Sequence, residues 1–255
     1  MNTWEEIAFR CSDGRILVIA GPCAVESEER TLRIAQQIRV MADFFRAGAY
    51  KPRTDPDSFC GLREAGLDIL ATVKREVHLP IVTEVMDTRD CLKVAAVADV
   101  LQVGTRNSAN YALLDEVGRY DRPVLLKRGM AMTCRELLLA GERVGRWNDG
   151  RVILCERGIR TFETAYRNVL DVNAIAYLHA TAPFPVIADP SHATGAAGLV
   201  PPVALAAVAA GADGLIVEVH DDPRSALSDG EQSITPEVLC DLLEACRRVR
   251  KPWEE

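Results

Sequence analysis

No two of the eight cysteines (Cys11, Cys23, Cys60, Cys91, Cys134, Cys155, Cys240 and Cys246) are spaced as CxxC. Scattered thiols in a chain of 255 residues do not make the dense framework of a small secreted domain, so reduced cysteines are expected. No apolar run approaches the ~20 residues that a membrane helix requires. The opening stretch "MNTWEEIAFR" has acids where a signal peptide carries its apolar segment. Positive charge is also short, with 30 Lys and Arg against 37 Asp and Glu and a formal net charge of −7. The long-range field therefore repels polyanions, which argues against a nucleic-acid or membrane surface and makes any cationic site a local one. A cytoplasmic protein acting on small molecules is the expectation. Histidine is scarce too, with four in the chain.

The content that remains, 48% hydrophobic and 26% charged, suits one large core. Barrels of the α/β class commonly reach about 200–250 residues as a single domain. Eight short β-rich runs stand out: "ILVIAGPC", "FFRAGAY", "PIVTEVM", "DVLQVGT", "PVLLKRG", "RVILCERG", "PVIADPSH" and "GLIVEVH". Segments with helical spacing lie between them, among them "SEERTLRIAQQIRVMA", "FCGLREAGLDILATVKREV", "SANYALLDEVGR" and "FETAYRNVLDVNAIAYLHA", with "TPEVLCDLLEACRRVRK" last. Continuous apolar strands alternating with amphipathic helices imply a parallel sheet covered by helices, and eight units favour closure into a (β/α)8 TIM barrel over an open doubly wound sheet. The barrel is expected over residues 16–255. Residues 1–15 are read as an extension, in which Asp13-Gly14 between apolar stretches predicts a short β-hairpin covering the barrel's lower end.

In such barrels the chemistry sits at the C-terminal strand ends. Those ends supply Cys23, Arg46 with Lys51 and Arg53, Glu84, Arg106, Lys127 with Arg128, Glu156 with Arg157 and Arg160, His192, and Glu218 with His220. Two chemical groups emerge. Cys23, His192, Glu218 and Asp229 of "LSDGEQS" form a mixed S/N/O set suited to one divalent transition metal, Mn, Fe, Co or Zn. Strands one and eight become neighbours when the barrel closes. The second group is cationic: Arg46, Lys51, Arg53, Arg106, Lys127 and Arg157 share one mouth, with Arg160 read either as a further member or as a paired rim charge, while Arg128 is read as a rim charge paired with an acid. Guanidinium forks match phosphate and carboxylate oxygens, so small polyanionic ligands are expected. A metal beside such a pocket points to a condensation of phosphorylated carbon compounds in which a carbonyl is polarised.

The motifs "GPCAVES", "FRAGAYKPRT", "TEVMD", "QVGTRN", "LLKRGM", "ILCERGIRTFE", "DPSHATG", "VEVH" and "LSDGEQS" together resemble 3-deoxy-D-arabino-heptulosonate 7-phosphate (DAHP) synthase in its short type I form. The resemblance runs from about Ile16 to Pro236. It implies condensation of phosphoenolpyruvate with erythrose 4-phosphate, releasing phosphate, at the entry to the shikimate pathway. By that resemblance Cys23, His192, Glu218 and Asp229 are metal ligands, and Arg46, Lys51, Arg106, Lys127 and Arg157 bind phosphoenolpyruvate. Arg53 and Thr54 contact the aldose phosphate, Glu84 lies near the attacked enol carbon where it orients water, and Asp189 is an acid/base candidate. A homodimer or homotetramer is implied. With about fifteen residues ahead of the first barrel strand, insensitivity to aromatic amino acids is expected.

Three departures bear on the acceptor. Asp55 and Asp57 follow "KPRT" where the family commonly has neutral residues, "AAGLV" follows "DPSHATG" where relatives often carry two arginines, and "GMAMTCRE" occupies the loop after strand five. The nearest rival is the sister enzyme that uses arabinose 5-phosphate, 3-deoxy-D-manno-octulosonate 8-phosphate synthase, whose pattern has Ala-Asn-Arg where this chain has Pro52-Arg53. A Schiff-base aldolase using Lys127 and a non-catalytic sugar-phosphate-binding paralogue are the remaining readings.

Overall fold

The structure, a computed structural model, describes residues 2–52 and 57–249. In chain order the elements are α1 (Thr3–Ser12), β1 (Leu17–Gly21), α2 (Glu28–Ile38), β2 (Phe44–Arg46), α3 (Glu64–Val77), β3 (Ile81–Val85), α4 (Cys91–Val97), β4 (Val100–Val103) and α5 (Tyr111–Gly118). They continue with β5 (Val124–Lys127), α6 (Cys134–Gly145), β6 (Val152–Glu156), α7 (Val172–Thr181), β7 (Val186–Ala188), the single turn α8 (Pro190–Thr194), α9 (Val200–Ala209), β8 (Gly214–Glu218) and α10 (Pro236–Val249). The eight strands pair in parallel and close into a barrel. Closure runs along the whole of β1, from Leu17 opposite Gly214 to Gly21 opposite Glu218. The eight quoted runs each hold one of these strands, so the (β/α)8 architecture read from the sequence is the one observed.

Every strand residue is buried, because one face packs on the helices and the other fills the barrel. Helices lay an apolar stripe against the outer face. In α10 it is Leu239, Leu242, Leu243 and Cys246, at spacings of three and four that share one side of a helix. Leu17, Ile19, Phe44, Val82, Val100, Leu125, Ile153, Cys155, Ile187 and Ile216 point inward and pack on one another. None of the eight cysteines is joined in a disulfide.

The lower end is closed by a helix and not by the expected hairpin. Ile7 of α1 is fully buried in the inner cluster, with Trp4 and Cys11 packed beside it. Positions 4, 7 and 11 share one face of a helix. Asn2 and Glu5 cap its start reciprocally, the Asn2 side chain accepting from Glu5 N at 2.9 Å and the Glu5 carboxylate from Asn2 N at 2.8 Å. Asp13-Gly14, which resembles a hairpin turn, is the exit of this helix: Asp13 N donates to Phe9 O and Gly14 has φ 71°. A second difference lies after β6. The segment "FETAYRNVLDVNAIAYLHA" becomes helical only at Val172, where Asp171 accepts from Ala174 N at 3.0 Å. The residues before it are held as loop by Asn168 N to Ala193 O, Arg167 N to Thr194 O and pairing of Ile159 with Val169.

Candidate metal and anion site

Side chains along a strand alternate faces, so residues two apart point the same way. Phe44, Val82, Val100, Leu125, Ile187 and Ile216 fill the barrel, and the residues two further on are Arg46, Glu84, Gln102, Lys127, Asp189 and Glu218. The apolar rows of the interior thus give way to a polar row at the upper end. Burial of this row is nearly complete, with Arg46 and Lys127 each 3% exposed and Glu218 1%.

Cys23, His192, Glu218 and Asp229 come together as the sequence predicts. Each offers one ligand atom, and these atoms all lie within 4.8 Å of one another. Cys23 follows β1, its carbonyl accepting from Gly48 N at 3.2 Å. His192 rides on α8, whose first turn is fixed by Asp189 accepting from His192 N at 3.0 Å. Glu218 ends β8, and Asp229 stands on the following loop with φ 54°. The Cys23 thiol donates to Asp229 Oδ2 at 2.9 Å, while His192 Nε2 lies 3.4 Å from Glu218 Oε1 and 3.9 Å from Asp229 Oδ2. On the other side of the ring, Nδ1 is 2.8 Å from Asp189 Oδ2 but off the line of a hydrogen bond.

This donor set fits a divalent transition ion. Bonds of about 2.0–2.3 Å to one ion hold donors no more than roughly 4.6 Å apart, close to the observed spread. One soft sulfur with an imidazole and two carboxylates is a set that Mn, Fe, Co and Zn all tolerate. The electrostatics agree. Burial and the Glu218 carboxylate push the Cys23 thiol up to about 12, so without an ion the sulfur keeps its proton, which coordination would displace. Burial also lowers His192, leaving a neutral imidazole able to ligate. Burial alone would raise Glu218 and Asp229, yet their contacts with His192 and the nearby cations, Lys51 among them, hold both carboxyls below their ordinary range.

Beside the donors opens a cavity of about 270 Å³ lined by Arg46, Lys51, Glu84, Arg106, Lys127 and Arg157. Several of these cations already have partners. Arg46 NH1 is 2.6 Å from Glu218 Oε1, Lys127 Nζ pairs with Asp189, and Lys51 Nζ donates to Cys23 Sγ at 2.7 Å and to Cys23 O at 3.0 Å. Burial would lower Arg46, but Glu218 and Cys23 hold it above its ordinary value. Arg157 differs. Its guanidinium donates to two carbonyls, Gly158 O at 3.3 Å and His192 O at 3.1 Å, and among the described residues no carboxylate lies within 4 Å of it. Burial lowers its pKa accordingly, and an arriving anion would supply the missing counter-charge.

Glu84 is 7% exposed and accepts from Gln102 Nε2 at 3.3 Å. Its carboxyl leans against Gly104, where a Cβ would come within 2.8 Å of Glu84 Cδ and closer still to Oε1. Arg106, in the turn after β4, is exposed on the cavity rim. Asp189 does not line the cavity. It is 1% exposed, sits between Lys127 and His192, and is held well below its ordinary pKa: burial would raise it, but its contacts with His192 and Lys127 outweigh burial. Arg128 lies outside the cavity, bound to Glu156 at 2.7 Å and Asp171 at 3.1 Å, as its reading as a paired charge expects. Arg160 is exposed and meets Met130 Sδ. His220 contacts Glu26 and Asp221 instead of the donor set. Arg53, Thr54 and Asp55 lie outside the described residues; Asp57 is exposed.

Three polar residues at the site escape a reading of the sequence. Ser228 Oγ is 3.1 Å from Cys23 Sγ, Gln232 Nε2 donates to Glu218 Oε2, and Arg167 lines the cavity. Ser228 and Gln232 belong to "LSDGEQS", where the acid alone attracts notice. Arg167 lies in the segment expected to be helical.

The profile of the DAHP synthetase I family matches residues 5–254. A phospho-2-dehydro-3-deoxyheptonate aldolase of Thermotoga maritima is 43% identical over 241 residues, 94% of this chain and 71% of that one. A 2-dehydro-3-deoxyphosphooctonate aldolase of Desulfatibacillum aliphaticivorans is 34% identical, over 92% of each chain. The crystal structure of the Thermotoga maritima DAHP synthase superposes with a TM-score of 0.89 at 44% identity, covering 93% of this chain and 70% of that one. A truncated form of the 3-deoxy-D-arabino-heptulosonate 7-phosphate synthase from that organism gives 0.85 at 40% identity, covering 93% and 87%.

Proposed function

The chain belongs to the DAHP synthetase I family, and from that premise we propose that it condenses phosphoenolpyruvate with erythrose 4-phosphate, giving DAHP and inorganic phosphate. The observation that carries this reading is the convergence of Cys23, His192, Glu218 and Asp229 beside a buried cluster of cations. Those four residues would hold the divalent ion, which when bound supplies Lewis-acid polarisation of the acceptor's aldehyde oxygen.

Arg157, Arg46, Lys127 and Arg106 receive the phosphate and carboxylate of phosphoenolpyruvate. Arg157 does so most strongly, because among the described residues no carboxylate lies within 4 Å of its guanidinium. The pairs Arg46 with Glu218 and Lys127 with Asp189 hold two of these cations in place before substrate arrives, so little reorganisation is needed as charge develops. The enol carbon forms the new bond to the aldehyde carbon, and the aldehyde oxygen takes up a proton. Lys51, between Cys23 and the cavity, sets an ammonium beside that oxygen. Water then adds to the cationic C2, with Glu84 orienting it and accepting its proton, and phosphate leaves from the resulting hemiketal. Arg53 and Thr54 are the proposed contacts of the acceptor phosphate.

The octulosonate relative at 34% identity favours one second reading, the same chemistry on a five-carbon acceptor. One experiment addresses both. Phosphate release and condensation product are measured with phosphoenolpyruvate and either erythrose 4-phosphate or arabinose 5-phosphate, with EDTA and after Mn²⁺ is restored. Turnover with erythrose 4-phosphate that stops with chelator and returns with Mn²⁺ is expected. Preference for arabinose 5-phosphate would support the second reading, and no turnover with either would overturn the enzymatic one.

A further inference from the structure

Glu218 ends β8, His192 rides on α8 and Cys23 lies two residues past β1. Asp229 stands farthest from any strand, on a loop well past β8, with φ 54° and ψ 31°, a region that non-glycine residues seldom occupy. Besides the contacts of Ser228 and Asp229 with Cys23, a cation from a different loop ties that loop to the barrel mouth. Arg167 NH1 donates to Gln232 Oε1 at 2.8 Å and lies 3.5 Å from Asp229 Oδ1. Gln232, 2% exposed, passes the constraint inward through Nε2 to Glu218 Oε2. One guanidinium nitrogen is thus tied directly to one carboxylate ligand and through an amide to the other.

Arg167 is itself fixed. Its backbone N donates to Thr194 O at 3.1 Å, and its aliphatic stem packs so closely on Gly195 that a Cβ there would meet Arg167 Cβ at 2.7 Å. Thr194 ends α8, the turn that carries His192. The stem therefore rests on the histidine's segment while the head grips the segment of Asp229. On its far side Arg167 also lines an open concavity of about 570 Å³, so it forms part of the wall between the ion site and solvent.

We propose that Arg167 is a positioning residue that clamps the β8 loop, holding Asp229 directly and Glu218 through Gln232 in the arrangement an ion requires. The inference rests on reading Cys23, His192, Glu218 and Asp229 as the ion's ligands. Two effects compete: a guanidinium repels an incoming cation, and it also orders the carboxylates that receive it. The Arg167 side chain is 37% exposed, so solvent screens the repulsion, whereas the ordering is not screened. Removing the arginine should therefore weaken ion binding. Partners of metal ligands typically cost 10–100-fold in affinity when removed.

The test uses Co²⁺ alone as probe, with the intact chain and no substrate. The near-ultraviolet sulfur-to-cobalt absorption reports the Cys23 bond, and a chelator chase gives the release rate. Arg167→Met and Gln232→Leu are expected to bind Co²⁺ about 10–100-fold more weakly, with faster release and the sulfur band retained. Arg167→Lys should recover part of the loss, because the ammonium keeps the charge but not the fixed planar direction of the guanidinium donors. Co²⁺ affinity in Arg167→Met equal to or tighter than the parent protein's overturns the clamp. Should that variant fail to fold, unchanged affinity in both Arg167→Lys and Gln232→Leu overturns it. Absence of any sulfur band in the parent protein is a separate failure, that of the ion-site reading.

Discussion

Gly104→Ala separates the chemistry of this protein from its stability. The backbone at Gly104 is extended, φ −72° and ψ 160°, which alanine adopts without strain. Replacing glycine where the conformation is already allowed gains about 0.4–1 kcal/mol by restricting the unfolded chain. Against this, the new Cβ would lie 2.8 Å from Glu84 Cδ and closer to Oε1, so the carboxyl must swing away and its bond from Gln102 is strained or lost, at about 0.5–1.5 kcal/mol. The two effects nearly cancel, and urea unfolding should shift by less than about 1 kcal/mol. Catalysis is another matter. The displaced group is the proposed acceptor of water's proton, and misplacement by about 1 Å costs on the order of 10²-fold in rate. That is about 2.7 kcal/mol of barrier. Steady-state kinetics with phosphoenolpyruvate and erythrose 4-phosphate should show kcat falling by that order. In a Glu84→Gln background the same substitution should cost little more, since both changes act through one carboxylate. Unchanged kcat in Gly104→Ala, or full additivity with Glu84→Gln, would refute the role given to Glu84.

Ile7→Ala should destabilise the protein by about 2–5 kcal/mol in urea, the usual cost of a buried large-to-small change, while leaving kcat nearly unaltered because apolar rows separate it from the site. A loss under about 1 kcal/mol would mean that α1 does not seal the floor. In metal-free protein, Asp189, Glu218 and Asp229 all titrate below their ordinary range. On acidification the unfolded chain takes up protons at these positions first, so the stability they contribute is complete above about pH 4 and fades as pH falls through the lowered folded values. Urea midpoints measured with EDTA should therefore decline as pH drops from about 5 towards 3, and a rise over that interval contradicts the assignment.

The barrel is legible in the sequence because a strand covered on both sides must be apolar throughout, and eight such runs leave little choice of architecture. The donor set and the cations are legible for a related reason, since reactive side chains at the ends of apolar runs have nowhere to point but the mouth. The failures come from local signals that serve two structures. Asp13-Gly14 suits a hairpin turn, but Asn2 and Glu5 make the preceding stretch a capped helix whose Ile7 finds the barrel floor. Phe162 and Tyr166 mimic a helical stripe, yet Phe162 is 98% exposed and the loop is set by bonds to Ala193 and Thr194, residues distant in the chain. Arg167 was hidden by that mimicry. Gln232 and Ser228 carry no charge, and their part appears only when Glu218 and Cys23 are placed beside them.

The two-residue beat of the strands has a consequence for how such a protein can change. Phe44 below Arg46 and Leu125 below Lys127 are successive steps of one ladder. A single-residue insertion in β2 or β5 would turn its charge outward into the helical coat and bring in a residue meant for that coat. Hydrocarbon floor and ionic ceiling are thus spelled in the same reading frame and cannot be edited apart. Innovation in the compound accepted is confined to the connecting segments, where residues can be gained or dropped without disturbing the ladder.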